Sequence, residues 1–165
     1  MGWNIKISFG IADTYNSGVS PSPAGMFVGL VSQNTIGWTA LINPATLLSC
    51  IGVGHNYGDS LISVYHKGSV SGTTALTIWG TATPDNTRWF HLSMTNLFNS
   101  NDVILTLTET ISNVSETRTF TCGTGTSALA TNIRLYPCIQ RIIGNTASTG
   151  SGRIHFGQFT YNQLI

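Results

Sequence analysis

Apolar side chains recur at every second position through most of this chain. In the opening segment Trp3, Ile5, Ile7, Phe9 and Ile11 alternate with Asn4, Lys6, Ser8 and Gly10. A period of two places alternate side chains on opposite faces of a strand, so this stretch predicts a strand with one face on a core. The same pattern returns at positions 88–95, where Phe90, Leu92 and Met94 share one face and Trp89, His91 and Ser93 the other. It returns again where Val103, Leu105 and Leu107 alternate with Ile104, Thr106 and Thr108, a β-branched and apolar mixture suited to a pleated surface. Further strands are predicted at 26–31, 38–42, 61–65, 75–79, 116–122, 133–143 and 153–161. The strand at 133–143 contains Pro137, which cannot donate to a ladder and so predicts an edge or a bulge. Segments rich in Gly, Pro, Ser and Asn separate these runs, as at Pro21 and Pro23 and at Pro84-Asp85-Asn86. No segment has helical period beyond a single turn. About ten short strands joined by turns predict an all-β fold, an antiparallel β-sandwich of jelly-roll type, spanning residues 1–165 as a single domain.

The pattern centres on positions 50–66. Two short apolar runs, Ile51 with Val53 and Leu61 to Tyr65, flank His55-Asn56-Tyr57-Gly58-Asp59. Asn56 and Gly58 tolerate positive φ and Asp59 can accept from backbone amides, so this reads as a hairpin with an aromatic-tipped loop. Gly52 and Gly54 alternate with Ile51 and Val53, which strips one face of that strand of side chains. Another strand or an aromatic ring is expected to come close there.

Composition narrows the function classes. Charged residues make up 8% of the 165 positions, against about 25% in an ordinary soluble domain. Polarity comes instead from Thr, Ser, Asn and Gly, which solvate a surface without repelling a second copy. The net charge is +1 and the seven Lys and Arg are scattered singly, which excludes the clustered basic face of a nucleic-acid binder. No apolar run is long enough to cross a membrane, so no membrane insertion is expected. Cys50, Cys122 and Cys138 are odd in number and widely spaced, which fits neither a disulfide framework nor a zinc site. They read as buried thiols of a protein folded in a reducing compartment.

Candidate chemistry points to binding, with no enzymatic activity, no metal and no cofactor expected. His55, Asp59 and Ser60 or Ser63 could be drawn as a triad, but no nucleophile elbow accompanies them. The six acids are Asp13, Asp59, Asp85, Asp102, Glu109 and Glu116, mostly single turn residues. They form neither the carboxylate pair of a glycosidase nor an oxygen-rich calcium loop. Glu109 and Glu116 are expected to be solvated at strand ends. A sugar site needs an aromatic face and a few directional hydrogen bonds. His55, Asn56, Tyr57 and Asp59 supply that inventory in one turn. Trp79 with Asp85 and Asn86, and Tyr15 with Asn16, supply it more sparsely. Trp3, Trp38 and Trp89 lie in strands and are read as core or interface, and His91 and His155 as surface or core-edge residues.

Three blocks also carry a family likeness. Cys50-Ile51-Gly52-Val53-Gly54-His55-Asn56-Tyr57-Gly58-Asp59-Ser60, continuing to Ile78-Trp79-Gly80, resembles a segment of the carboxy-terminal domains of tailed-bacteriophage fibre and other virion structural proteins. Trp89-Phe90-His91-Leu92 with Val103-Ile104-Leu105 is similar to the two strands that follow it there, and positions 132–161 to the closing strands. The resemblance implies a β-sandwich on the virion surface, assembled in the bacterial host cytoplasm. It further implies a homotrimer that recognises a host-surface polysaccharide as a receptor-binding domain. A non-binding structural virion component, acting in capsid decoration or assembly, is the alternative, and a polysaccharide depolymerase fragment a third. Met1-Gly2 leading at once into a strand reads as the carboxy-terminal part of a longer fibre or virion protein.

Overall fold

The computed structural model describes residues 2–13, 24–32, 49–55, 62–68, 73–75, 89–123, 130, 134–143 and 152–164. Ten strands run through them: β1 (Gly2–Asp13), β2 (Ala24–Val31), β3 (Cys50–His55), β4 (Ser63–Lys67), β5 (Thr73–Ala75), β6 (Trp89–Asn96), β7 (Asp102–Glu109), β8 (Ser115–Thr121), β9 (Tyr136–Ile143) and β10 (Gly152–Leu164). The described residues contain no helix. The strands form two five-stranded antiparallel sheets, ordered β10-β1-β6-β7-β8 and β5-β4-β3-β2-β9. The chain changes sheet after β1, β5, β8 and β9, giving the jelly-roll type of sandwich expected from the alternation. The strand expected at 38–42 lies outside the described residues. The one expected at 75–79 begins earlier, as β5, and positions 76–79 lie outside them too.

One core fills the space between the sheets. Ile5, Ile7 and Phe9 of β1, Phe90, Leu92 and Met94 of β6 and Val103, Leu105 and Leu107 of β7 meet Met26, Val28 and Leu30 of β2, Ile51 and Val53 of β3 and Val64 of β4. In β1, β3, β6 and β7 these are the alternate positions that the pattern assigned to one face, and burying each core side chain stabilises the fold by about 1.5–3 kcal/mol. The His66 ring stacks on Phe120 of the facing sheet, centroids 4.1 Å apart and 23° between planes. Burial lowers the His66 pKa below its ordinary value.

The second sheet is buried on its outer face as well. All six residues of β3 are buried, and Phe27, Val31, Cys50 and Tyr65 form a separate outer cluster against which Cys138 packs. Gly29 and Gly52 are cross-strand partners at its centre. A Cβ on Gly52 would lie 2.7 Å from the Gly29 Cα and 2.8 Å from Phe27 Cζ, and closer still to the Val28 carbonyl oxygen. The bare strand face is thus covered by the Phe27 ring, which meets Tyr65 edge-on at 6.3 Å. Lys67 is fully buried with its ammonium 5.1 Å from the Tyr65 centroid. Burial lowers the Lys67 pKa, an effect that nearby Cys50 partly opposes. All three cysteines are thiols outside any disulfide, as the spacing implied. Burial pushes the Cys50 thiol up to about 12.

Pro137 sits in β9 at a sheet edge, as its missing amide requires. The β6–β7 and β7–β8 connections place Asn99 and Asn113 at positive φ, 56° and 55°. Glu109 corrects the expectation of a solvated strand end. Only 4% exposed, its carboxylate accepts from the Ile111 amide at 2.9 Å and from the Ser112 amide at 2.8 Å, closing the second turn. Glu116 is also partly buried, 2.8 Å from Arg118.

Candidate ligand-binding face

Of the ligand-binding residues expected from the sequence, His55 is described. It ends β3, directly opposite Met26, and alternation with Ile51 and Val53 turns its side chain to the inner face. At 3% exposure it is a buried strand residue, which corrects the reading of His55 as part of the exposed turn. Asn56, Tyr57, Asp59, Trp79, Asp85 and Asn86, like Tyr15 and Asn16, lie outside the described residues.

The described residues assemble a different candidate, on the outer face of the sheet β10-β1-β6-β7-β8. Three cross-strand rows define its centre. Trp89, Gly10 and His155 form one row, His91, Ser8 and Gln158 the next, and Ser93, Lys6 and Thr160 the third. Trp89 is 40% exposed, although indole is among the larger apolar groups a chain can bury. It is held in place by glycines. A Cβ on Gly10 would come within 3.0 Å of Trp89 Cε2, and one on Gly157 within 3.0 Å of its Cζ3. Gly157 is the unpaired residue where the β1–β10 register shifts, between Ser8↔Gln158 and Phe9↔Phe156. The bulge thus sets a second glycine beside Gly10 and widens the floor on which the indole rests.

Hydrogen-bonding groups surround the ring. His155 lies beside it, centroids 6.4 Å apart. His91 Nδ1 and Ser8 Oγ share a hydrogen bond of 2.8 Å. Further along, Asn4 Nδ2 donates to Thr95 Oγ1 at 2.6 Å, Thr106 pairs with Thr117 at 2.9 Å, and Thr108 with Ser115 at 2.7 Å. Cross-strand pairing fixes the orientation of these short side chains and leaves lone pairs and protons directed outward. A flat aromatic surface bordered by such groups can stack on the C–H face of a sugar ring and bond its hydroxyls. Among the described residues no group of three or more His, Cys, Asp and Glu side chains could hold a metal ion.

Comparison with solved structures bears on the fold. Lectin II from Ulex europaeus superposes with a TM-score of 0.57 at 14% identity, covering 98% of this chain and 73% of that one. The lectin UEA-II complexed with galactose gives 0.55 at 13%, covering 98% and 72%. Peanut lectin with a nine-residue peptide gives 0.54 at 11%, covering 99% and 73%. The chain shares the sandwich fold of these lectins. No protein-family model and no curated protein sequence matches it.

Trp89 is expected from its strand position to be core or interface, and it is the candidate residue that the local pattern does not reveal. Alternation did put Trp89 and His91 on the non-core face of β6. What makes the ring a platform is the pair of glycines beneath it, at positions 10 and 157, and their adjacency to Trp89 exists only once β1, β6 and β10 pair.

Proposed function

We propose that this domain is a non-enzymatic carbohydrate-recognition module whose ligand stacks on Trp89. The observation that carries the reading is the half-exposed indole held over Gly10 and Gly157 amid fixed hydroxyl, amide and imidazole groups. The lectin fold supports it, since one neighbour was solved with galactose. The likeness of positions 50–80, 88–109 and 132–161 to phage fibre and virion domains supports a more specific role. In that role the domain sits on a virion surface as a homotrimer and attaches to a host-surface polysaccharide. A glycan array probed with the domain and with Trp89→Ala tests the reading. Specific binding that the substitution abolishes, with an unchanged thermal midpoint, is the expected result. Silence across bacterial polysaccharides, or binding indifferent to Trp89, would refute it.

A structural role in virion assembly is favoured by a separate observation. β10 is a sheet edge of 13 residues with Phe156, Phe159 and Tyr161 exposed along it. Long apolar edges of this kind attract further strands. Light scattering decides the oligomeric state, with a trimer expected and a monomer at micromolar concentration against it.

A further inference from the structure

The charges on the outer face of the Trp89 sheet are unevenly placed. Lys6 is exposed, two rows from Trp89 and four residues along β1 from Gly10, which is roughly 13 Å of strand. Its cross-strand neighbours are Ser93 and Thr160, both neutral. Among the described residues no carboxylate lies within ion-pair distance of it. His91 and His155, both exposed, stand in the two rows nearest the indole and offer ring N–H donors. Glu109 and Glu116 alternate with outward residues and face inward. Asp102 is the outward carboxylate of the described face, and its Oδ1 accepts from Thr121 at 2.6 Å. It lies at the opposite end of the strands, about eight residues or 25 Å from the Trp89 row. A ligand laid along β1 from the indole therefore meets donors and a cation, and no described carboxylate, over its first few sugar units.

We infer that the glycan bound at Trp89 is anionic, with a charged substituent, carboxylate or phosphate ester, reaching Lys6 from a ring stacked on the indole. The inference rests on the proposed function and deepens it by naming the ligand's chemical class. An exposed lysine contributes modestly, while the imidazole donors nearer the indole add charge-assisted hydrogen bonds to the same acidic chain.

The test is calorimetric titration of the domain with three probes: tetragalacturonate, its carboxyl-reduced tetragalactoside, and a glycerol-phosphate oligomer of similar length. At low salt an acidic probe is expected to bind about tenfold more tightly than the neutral one, with the gap shrinking as salt screens the exposed charges. Preference for the uronate or for the phosphate assigns the source of the charge. Lys6→Gln is expected to weaken the preferred acidic probe about three- to fivefold and leave the tetragalactoside unchanged, consistent with an exposed pair. Trp89→Ala is expected to weaken every probe that binds. Equal binding of neutral and acidic probes, with no effect of Lys6→Gln, overturns the inference while leaving glycan binding at Trp89 intact. Binding of no probe, or binding indifferent to Trp89→Ala, overturns both.

Discussion

Replacing Gly52 by Ala places a methyl group where two backbones and an aromatic ring already meet. The added Cβ would stand 2.7 Å from the Gly29 Cα and 2.8 Å from Phe27 Cζ, with the Val28 carbonyl oxygen nearer still. Ordinary contact begins near 3.5 Å, so β2 and β3 must separate by several tenths of an ångström. That separation weakens the ladder bonds on either side of the Gly29↔Gly52 pair, each contributing about 1 kcal/mol. It also lifts Phe27 from its edge-on contact with Tyr65, worth about 0.5–1.5 kcal/mol. Against this, alanine restricts the unfolded chain and recovers about 0.5–1 kcal/mol. The net loss is about 2–3 kcal/mol, within the range for overpacking. For a domain of this size that lowers the thermal midpoint by roughly 4–12 °C. Urea and thermal unfolding measure it, with an unchanged m-value showing that the denatured state is unaltered. Gly157→Ala is the internal control, because the atoms it crowds at 3.0 Å belong to the exposed Trp89 side chain, which can tilt away. A Gly52→Ala protein that melts within about a degree of the parent would refute the close approach of β2 and β3.

Glu109→Ala removes the acceptor of the Ile111 and Ser112 amides and is expected to cost about 2–3 kcal/mol by chemical denaturation, with Glu109→Gln recovering part of it. His66 carries a lowered pKa when folded, because burial disfavours its charged form, so the unfolded chain binds the proton more readily. Its contribution to stability is therefore complete above the unfolded value of about 6.5 and is lost as pH falls from there through the folded value. Denaturation of His66→Phe across that range should show a shallower loss toward acid than the parent, and a slope that does not change speaks against the stacked, half-buried imidazole. With its thiol pushed up to about 12, Cys50 is expected to resist alkylation in the native protein at pH near 8 and to react fully in denaturant. Mass spectrometry of native labelling checks this, and rapid native modification of Cys50 would contradict its burial.

Much of the fold was legible because its signals are local. The alternation through Ile5, Ile7 and Phe9, through Phe90, Leu92 and Met94, and through Val103, Leu105 and Leu107 names the inner faces of β1, β6 and β7. Gly52 and Gly54 announced a close approach, and the covering ring proved to be Phe27, 25 residues before Gly52. Pro137 foretold an edge. The candidate site was far less legible. The Cys50-to-His66 stretch suggested that function sits in its turn, yet His55 belongs to the strand and faces inward, because β3 runs as far as its pairing with Met26. Glu109 looked like a solvated strand end because nothing local shows that the following turn directs two amides back at its carboxylate. Trp89 looked like core or interface because large aromatics in strands usually are. Its role depends on Gly10 and Gly157, which become its neighbours only when the first and last strands pair with each other and β1 pairs with β6.

The placement of ligand on Trp89 is tested most directly by the four tryptophan indole N–H resonances in a nitrogen-15 correlation spectrum. The Trp89 signal is assigned from its loss in Trp89→Phe, and the domain is titrated with the glycan that binds most tightly on the array. The Trp89 indole is expected to shift furthest among the four, together with backbone amides of Gly10, His91 and His155. A titration that moves another tryptophan and leaves Trp89 and these amides in place would contradict it.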